Sequence, residues 1–135
     1  KKMKSKLGML NFAGIPSRLL AQYNTQPSYL YQFGHTPPDK PDFPNYGAFH
    51  TSEVPYALHT LHTWKRDWQS MDKTIEDALS SYWVNFAKTG NPNGGNLPIW
   101  NTYNKQSGNI MVIGDTTLSS KEGFLKTELD FLGKL

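Results

Sequence analysis

Tyr29-Leu30-Tyr31-Gln32-Phe33 runs into Gly34 to Tyr46, which holds Pro37, Pro38, Pro41 and Pro44, and then into Gly47-Ala48-Phe49-His50-Thr51-Ser52-Glu53. The first five residues are a near-continuous apolar and aromatic run without alternation. They predict a strand buried on both faces, as in a parallel sheet covered by helices. The prolines that follow, with aspartates between them, forbid regular structure and stiffen the segment. A stiff loop beyond the carboxyl end of a buried strand is where α/β folds place ligands and reactive groups. The competing reading is a surface connector. His50 stands at the end of this loop, and histidine titrates near neutral pH, which suits a proton shuttle. A single histidine is nevertheless more often a surface or packed residue than a reactive one.

Working outward, Pro16 to Tyr23 predicts a short helix, with proline acceptable in its first turn. A parallel strand needs neighbours delivered by crossover connections. The sequence offers a helix before Tyr29 but no obvious second parallel strand. Val54, Ala57, Leu58 and Leu61 have helical spacing, predicting a helix from Ser52 to about Thr63. Trp64-Lys65-Arg66-Asp67-Trp68 predicts a turn whose rings either pack against a helix end or line a groove. The clearest helix is Met71 to Lys88, with Met71, Ile75, Ala78, Leu79, Tyr82, Trp83 and Phe86 on one apolar face. Ser70 can cap it, Asp72, Glu76 and Asp77 suit its early turns, Lys88 suits its last, and Gly90 and Pro92 end it. Asn91 to Asn96 is a turn cluster. Ile110 to Ile113 reads as a short strand ending at Gly114-Asp115, and Lys121 to Leu132 as a modest helix.

A hydrophobic fraction of 37% with four Trp, seven Tyr and seven Phe is globular rather than disordered, and 135 residues suffice for one small domain. Cysteine is absent, which excludes disulfides and thiolate metal sites within the chain. Much of the net charge of +3 comes from Lys1, Lys2, Lys4 and Lys6. Such a tail could touch nucleic acid or an anionic membrane, but no basic–aromatic pattern continues into the body, so nucleic-acid binding is not expected. Leu7 to Ile15 is too short and interrupted for a signal segment, and nothing approaches a membrane span.

Gly47-Ala48-Phe49-His50-Thr51-Ser52-Glu53-Val54-Pro55-Tyr56 resembles the catalytic-histidine segment of the type-B carboxylesterases, the group of cholinesterases and para-nitrobenzyl esterases. Two more stretches resemble that family, in its order. Tyr29 to Phe33 is similar to the strand before the histidine loop. Ser81-Tyr82-Trp83-Val84-Asn85-Phe86-Ala87-Lys88-Thr89-Gly90-Asn91-Pro92-Asn93, closed by Leu97-Pro98-Ile99-Trp100, is similar to the late helix and turn. The resemblance implies an α/β class: the C-terminal part of an α/β-hydrolase fold, with helix, buried strand, histidine loop, then mainly helices and a short late strand. Residues 1–135 would be an incomplete C-terminal segment of one domain, roughly the last quarter of such an enzyme. Set beside the disulfides of some secreted members of that family, the absence of cysteine leans towards a bacterial or intracellular protein.

Hydrolases of this kind use a serine nucleophile, a histidine base and an orienting acid, in the chain order Ser, Asp or Glu, His. No Gly-x-Ser-x-Gly turn and no oxyanion-hole glycines occur here. The resemblance assigns His50 the role of general base and then acid, and makes Glu53 a supporting structural residue rather than the triad acid, which would lie upstream. It implies no metal and no cofactor, a small-molecule ester substrate, and the upstream part of the domain as partner. An isolated segment would be inactive and prone to self-association through the Tyr29–Phe33 strand edge. His59 and His62, three apart, could form a metal pair with Glu53 or His50, although the spacing is not that of the HExxH zinc motif, and exposed helix histidines are the alternative. His35 closes the strand as a cap. Two other readings stay open: a non-catalytic adhesion relative with the same fold, and an independent small module binding sugar or peptide through its aromatic residues.

Overall fold

The computed structural model describes residues 8 and 10–133. The basic tail of Lys1, Lys2, Lys4 and Lys6 lies outside the described residues. In chain order the elements are a π-helical turn (Leu10–Gly14), α1 (Ile15–Tyr23), β1 (Tyr31–Phe33), α2 (Val54–Ala57), a 3-10 turn (Leu61–Thr63), α3 (Ser70–Thr89), β2 (Ile110–Ile113), β3 (Leu118–Lys121) and α4 (Lys126–Leu132). The strands form one sheet in the order β1-β2-β3.

The Met111 N–H donates to the Leu30 carbonyl at 2.8 Å, and the Gly34 N–H to the Ile113 carbonyl at 2.7 Å. Both partners advance together along the chain, so β1 and β2 are parallel. The second parallel strand, not obvious from sequence, is therefore Ile110–Ile113. From Gly114 to Thr117 the backbone turns back on itself through mutual bonds, and β3 follows as a hairpin arm. This arm corrects the expected helix from Lys121: the helix starts only at Lys126, after Leu125 adopts a left-handed φ of 54°. β1 also differs from expectation. Its residues are half-buried, not covered on both faces, and it lies at the edge of the sheet.

The chain divides into two compact units. One comprises the residues up to Leu30 with Asn101–Met111 and those from Ser120 on; the other is Tyr31–Trp100 with Val112–Ser119. In the first, Arg18 of α1 is buried. Its Nε donates to the Tyr103 hydroxyl at 2.9 Å and a terminal nitrogen donates to Asp130 of α4 at 2.6 Å. Lys126 also donates to Asp130, one helical turn along. Lys126 first, then Arg18, hold the Asp130 carboxyl below the usual carboxylate range. Helices α1 and α4 are thus joined by an ion pair.

The second unit is organised on α3. Ile75, Leu79 and Tyr82 are fully buried along it, with Ala78 beside them. Trp100 is buried against Tyr82, the ring centroids 5.2 Å apart edge to face. Asn93 secures that return: its side-chain carbonyl accepts the Trp100 N–H at 2.7 Å and its amide donates to the Trp100 carbonyl at 3.0 Å. Two details of α3 differ from its reading in the sequence. The cap is Gln69, not Ser70, and the Gln69 N–H donates to Asp72 Oδ2 at 2.8 Å. The buried stripe takes in Asp72 and Glu76, whereas Trp83 and Phe86 are 36% and 48% exposed. Burial of those carboxylates is sustained by hydrogen bonds that a hydropathy pattern does not contain.

The helix expected from Ser52 to Thr63 is broken in the middle. The His59 N–H donates to the Tyr56 carbonyl and the Thr60 N–H to the Pro55 carbonyl at 2.8 Å, with His59 at φ 56°. That is a Schellman termination carrying histidine where glycine is usual. At the far end of α3, Gly90 takes the same kind of position at φ 73°, its N–H on the Phe86 carbonyl at 2.8 Å. Gly90→Ala is expected to cost about 1 kcal/mol, because a Cβ disfavours left-handed backbone; chemical denaturation of the folded protein measures it.

Candidate active site

The loop from Gly34 to Glu53 contains no helix or strand, as its prolines dictate. It is tied at several points. The Thr36 N–H donates to Asp115 at 2.8 Å in the β2–β3 turn, the Arg66 guanidinium donates to the Pro38 carbonyl, and Asn45 bonds Asp39 and the Gly47 N–H. The loop ends in a tight turn in which the Ser52 N–H donates to the Phe49 carbonyl at 3.0 Å. Thr51 occupies that turn at φ 74°, a left-handed conformation uncommon for a β-branched residue. His50 sits in the same turn and is exposed, while Ser52 beside it is buried. The turn therefore sinks one side chain and lifts the imidazole to the surface.

Glu53 is half-buried and stands at the N-cap of α2. Its charge acts on Tyr31 of β1, whose hydroxyl is pushed up to about 12, mainly by burial and then by Glu53. A hollow of about 340 Å³ adjoins the loop, lined by Lys40, Phe43, Tyr46, Phe49, Trp64 and Arg66 among others. Lys40 Nζ lies 4.3 Å from the Phe43 ring centre, and the Arg66 guanidinium 5.9 Å from that of Trp64. Trp68 turns the other way: its indole N–H donates to the Leu61 carbonyl at 2.9 Å, and its ring meets Tyr56 edge to face.

His35 is not a simple strand cap. It is buried, and its Nε2–H donates to Asp72 Oδ1 at 2.8 Å, the carboxylate being an acceptor only. Nδ1 lies 3.0 Å from Asp115 but is not aligned for a hydrogen bond. The Tyr56 hydroxyl donates to the same Asp72 oxygen at 2.6 Å. Burial, and then Asp72, raise the Tyr56 hydroxyl far above its ordinary range, so it remains a donor. Glu76, one turn further along α3, accepts the Leu61 N–H at 2.9 Å. Sequence reading did not bring His35, Tyr56 and Asp72 together. Only the polar residues Asp72 and Glu76, falling on an otherwise apolar helix face, hinted at buried acceptors.

His59 and His62 are separated by the Schellman termination, and no cluster among the described residues has the make-up of a metal site. His59 Nε2 instead meets Asp77 at 3.1 Å.

Solved structures similar to this chain are esterases of the α/β-hydrolase fold. A thermophilic PNB esterase superposes with a TM-score of 0.65 at 26% identity, over 78% of this chain and 22% of its own. A Clostridium hathewayi esterase described as hydrolysing aliphatic aromatic polyesters gives a TM-score of 0.65 at 20% identity, a likeness of fold. The architecture is thus part of an α/β-hydrolase fold. Residues 3–132 match the model of the carboxylesterase family, and the chain belongs to that family. Among curated relatives, the bile salt-activated lipase of Rattus norvegicus is 34% identical over 110 residues, 77% of this chain and 18% of the relative. Carboxylesterase 4A of Bos taurus is 40% identical over 80 residues, 58% of this chain and 14% of the relative. The chain spans less than a quarter of the length of each of these proteins.

The Asp77 hydrogen bond, and then the charge of Glu76, raise the His59 pKa above its ordinary value. A raised folded-state value means that the contact favours folding at pH below the ordinary histidine range and fades as pH climbs through the raised one. Asp77→Asn should move the His59 midpoint back towards the ordinary value in an NMR titration, and an unchanged midpoint would contradict the assigned cause.

Proposed function

We propose that residues 1–135 form the C-terminal portion of a serine carboxylesterase domain and supply its catalytic histidine, His50. The observation that carries this reading is an imidazole raised to the surface on a braced, proline-rich loop at the carboxyl end of β1, in a member of the carboxylesterase family. That placement is where α/β folds put reacting groups.

In this reading a serine and an acid come from chain preceding Lys1. One ring nitrogen of His50 takes the serine proton as the hydroxyl oxygen attacks the ester carbonyl, and returns it to the departing alkoxide. Water then repeats the cycle and frees the acid, so one ester and one water give one acid and one alcohol. The other ring nitrogen donates to the upstream carboxylate, which fixes the tautomer. Glu53 supports the base without orienting it directly, through its place at the head of α2 and its field on Tyr31. The substrate class is a carboxylic ester, in keeping with the lipase, carboxylesterase and esterase names of the relatives.

Joined to the coding sequence upstream of Lys1, the protein should hydrolyse a short-chain nitrophenyl ester, and His50→Ala should lower kcat on the order of ten-thousand-fold. Undiminished activity in that variant, or an upstream sequence lacking a Gly-x-Ser-x-Gly turn, would remove the assignment. The isolated chain should be inactive and should self-associate through the β1 edge, which lies at the border of the sheet; size-exclusion chromatography showing a clean monomer would count against the second half of that expectation.

A further inference from the structure

The loop bearing His50 begins and ends on one carboxylate. His35 stands at its start, directly after Gly34, and Tyr56 stands just past its end, inside α2. Both donate to the same oxygen, Asp72 Oδ1, at 2.8 Å and 2.6 Å. The other oxygen, Oδ2, accepts the Gln69 N–H at the head of α3. Asp72 is 1% exposed and His35 5%, so these bonds are made out of water, where an unpaired partner is costly. The three ring systems also touch: His35 and Tyr56 meet edge to face at 5.7 Å, and Phe33 contacts both.

We propose that Asp72 is a positioning residue for His50, closing residues 36–55 into a loop whose two ends are fixed on the first turn of α3. The inference rests on the assignment of His50 as the base. A rigid arm is only as well placed as its two roots, and both roots here share a single acceptor. Asparagine at position 72 keeps the shape but offers one acceptor oxygen and a pair of N–H donors. With its oxygen kept towards His35 and Tyr56, the amide would meet the Gln69 N–H donor to donor and be pushed off its place, carrying both roots with it; turned over, it would leave both roots without their acceptor. A shift of about 1 Å in a catalytic group costs up to about a hundredfold in rate.

The test uses the complete hydrolase chain with a nitrophenyl ester. Asp72→Asn should lower kcat by about tenfold or more with KM within about twofold, since the base moves and the substrate pocket does not. Tyr56→Phe removes one hydroxyl and should lower kcat by a smaller factor, and it keeps the test open should Asp72→Asn fail to fold. Glu76→Ala is the control. It removes a buried carboxylate from the same face of α3, one that holds Leu61 beyond the loop, and should lower the melting temperature while leaving kcat near wild type. Folded Asp72→Asn or Tyr56→Phe with wild-type kcat overturns the inference, as does a Glu76→Ala whose kcat falls as far as theirs. An active His50→Ala would overturn the function and the inference together, whereas a dead His50→Ala beside a fully active Asp72→Asn would overturn the inference alone.

Discussion

The arrangement depends on a carboxylate that the helix carrying it has no intrinsic reason to bury. Asp72 lies in the first turn of α3, where a negative charge suits the helix dipole. It is sealed from solvent only because three donors reach it: the His35 ring, the Tyr56 hydroxyl and the Gln69 backbone. Each donor belongs to a different stretch of chain. Desolvating a lone carboxylate would be prohibitive, so burial and full hydrogen bonding must form together. That coupling ties the residue that opens the loop after β1 and the residue just past its end to one side chain.

Aromatic packing extends the same logic along the second unit. Tyr31 touches Trp83 and Trp100 edge to face, and Trp100 in turn covers Tyr82. The Tyr82 hydroxyl, pushed up to about 12 by burial, donates to the Pro98 carbonyl. Tyrosine serves here as an apolar body with one polar tether, and the tether sets the register of the returning segment. β1 is thereby held both by ring contacts and by hydrogen bonds to a parallel neighbour.

The helical extent of α3, its stop at Gly90 and Pro92, the irregular path of the proline-rich loop and the strands at Tyr31 and Ile110 were legible in the sequence. These are local properties: apolar spacing at 3.6 residues, fixed proline φ, and the lack of an alternative for the backbone between prolines. The residues from Tyr29 to Trp100 that resemble the carboxylesterases fall within the matched range of the family, which is why the class could be read before any coordinates.

Other features required the folded chain. The partnership of His35 with Asp72 spans 37 residues, and nothing local marks either as the other's mate. The exposure of Trp83 and Phe86 on a face read as core, the left-handed His59 that splits one expected helix, and the β3 arm in place of a helix start at Lys121 share a cause. Periodicity says which side chains would gain from burial, but which of them succeed depends on what other segments bring to meet them. Sequence by itself determined where this chain can be helical, extended or stiff; tertiary contact alone decided which polar groups could go inside, because a buried charge is tolerated only where distant donors converge on it.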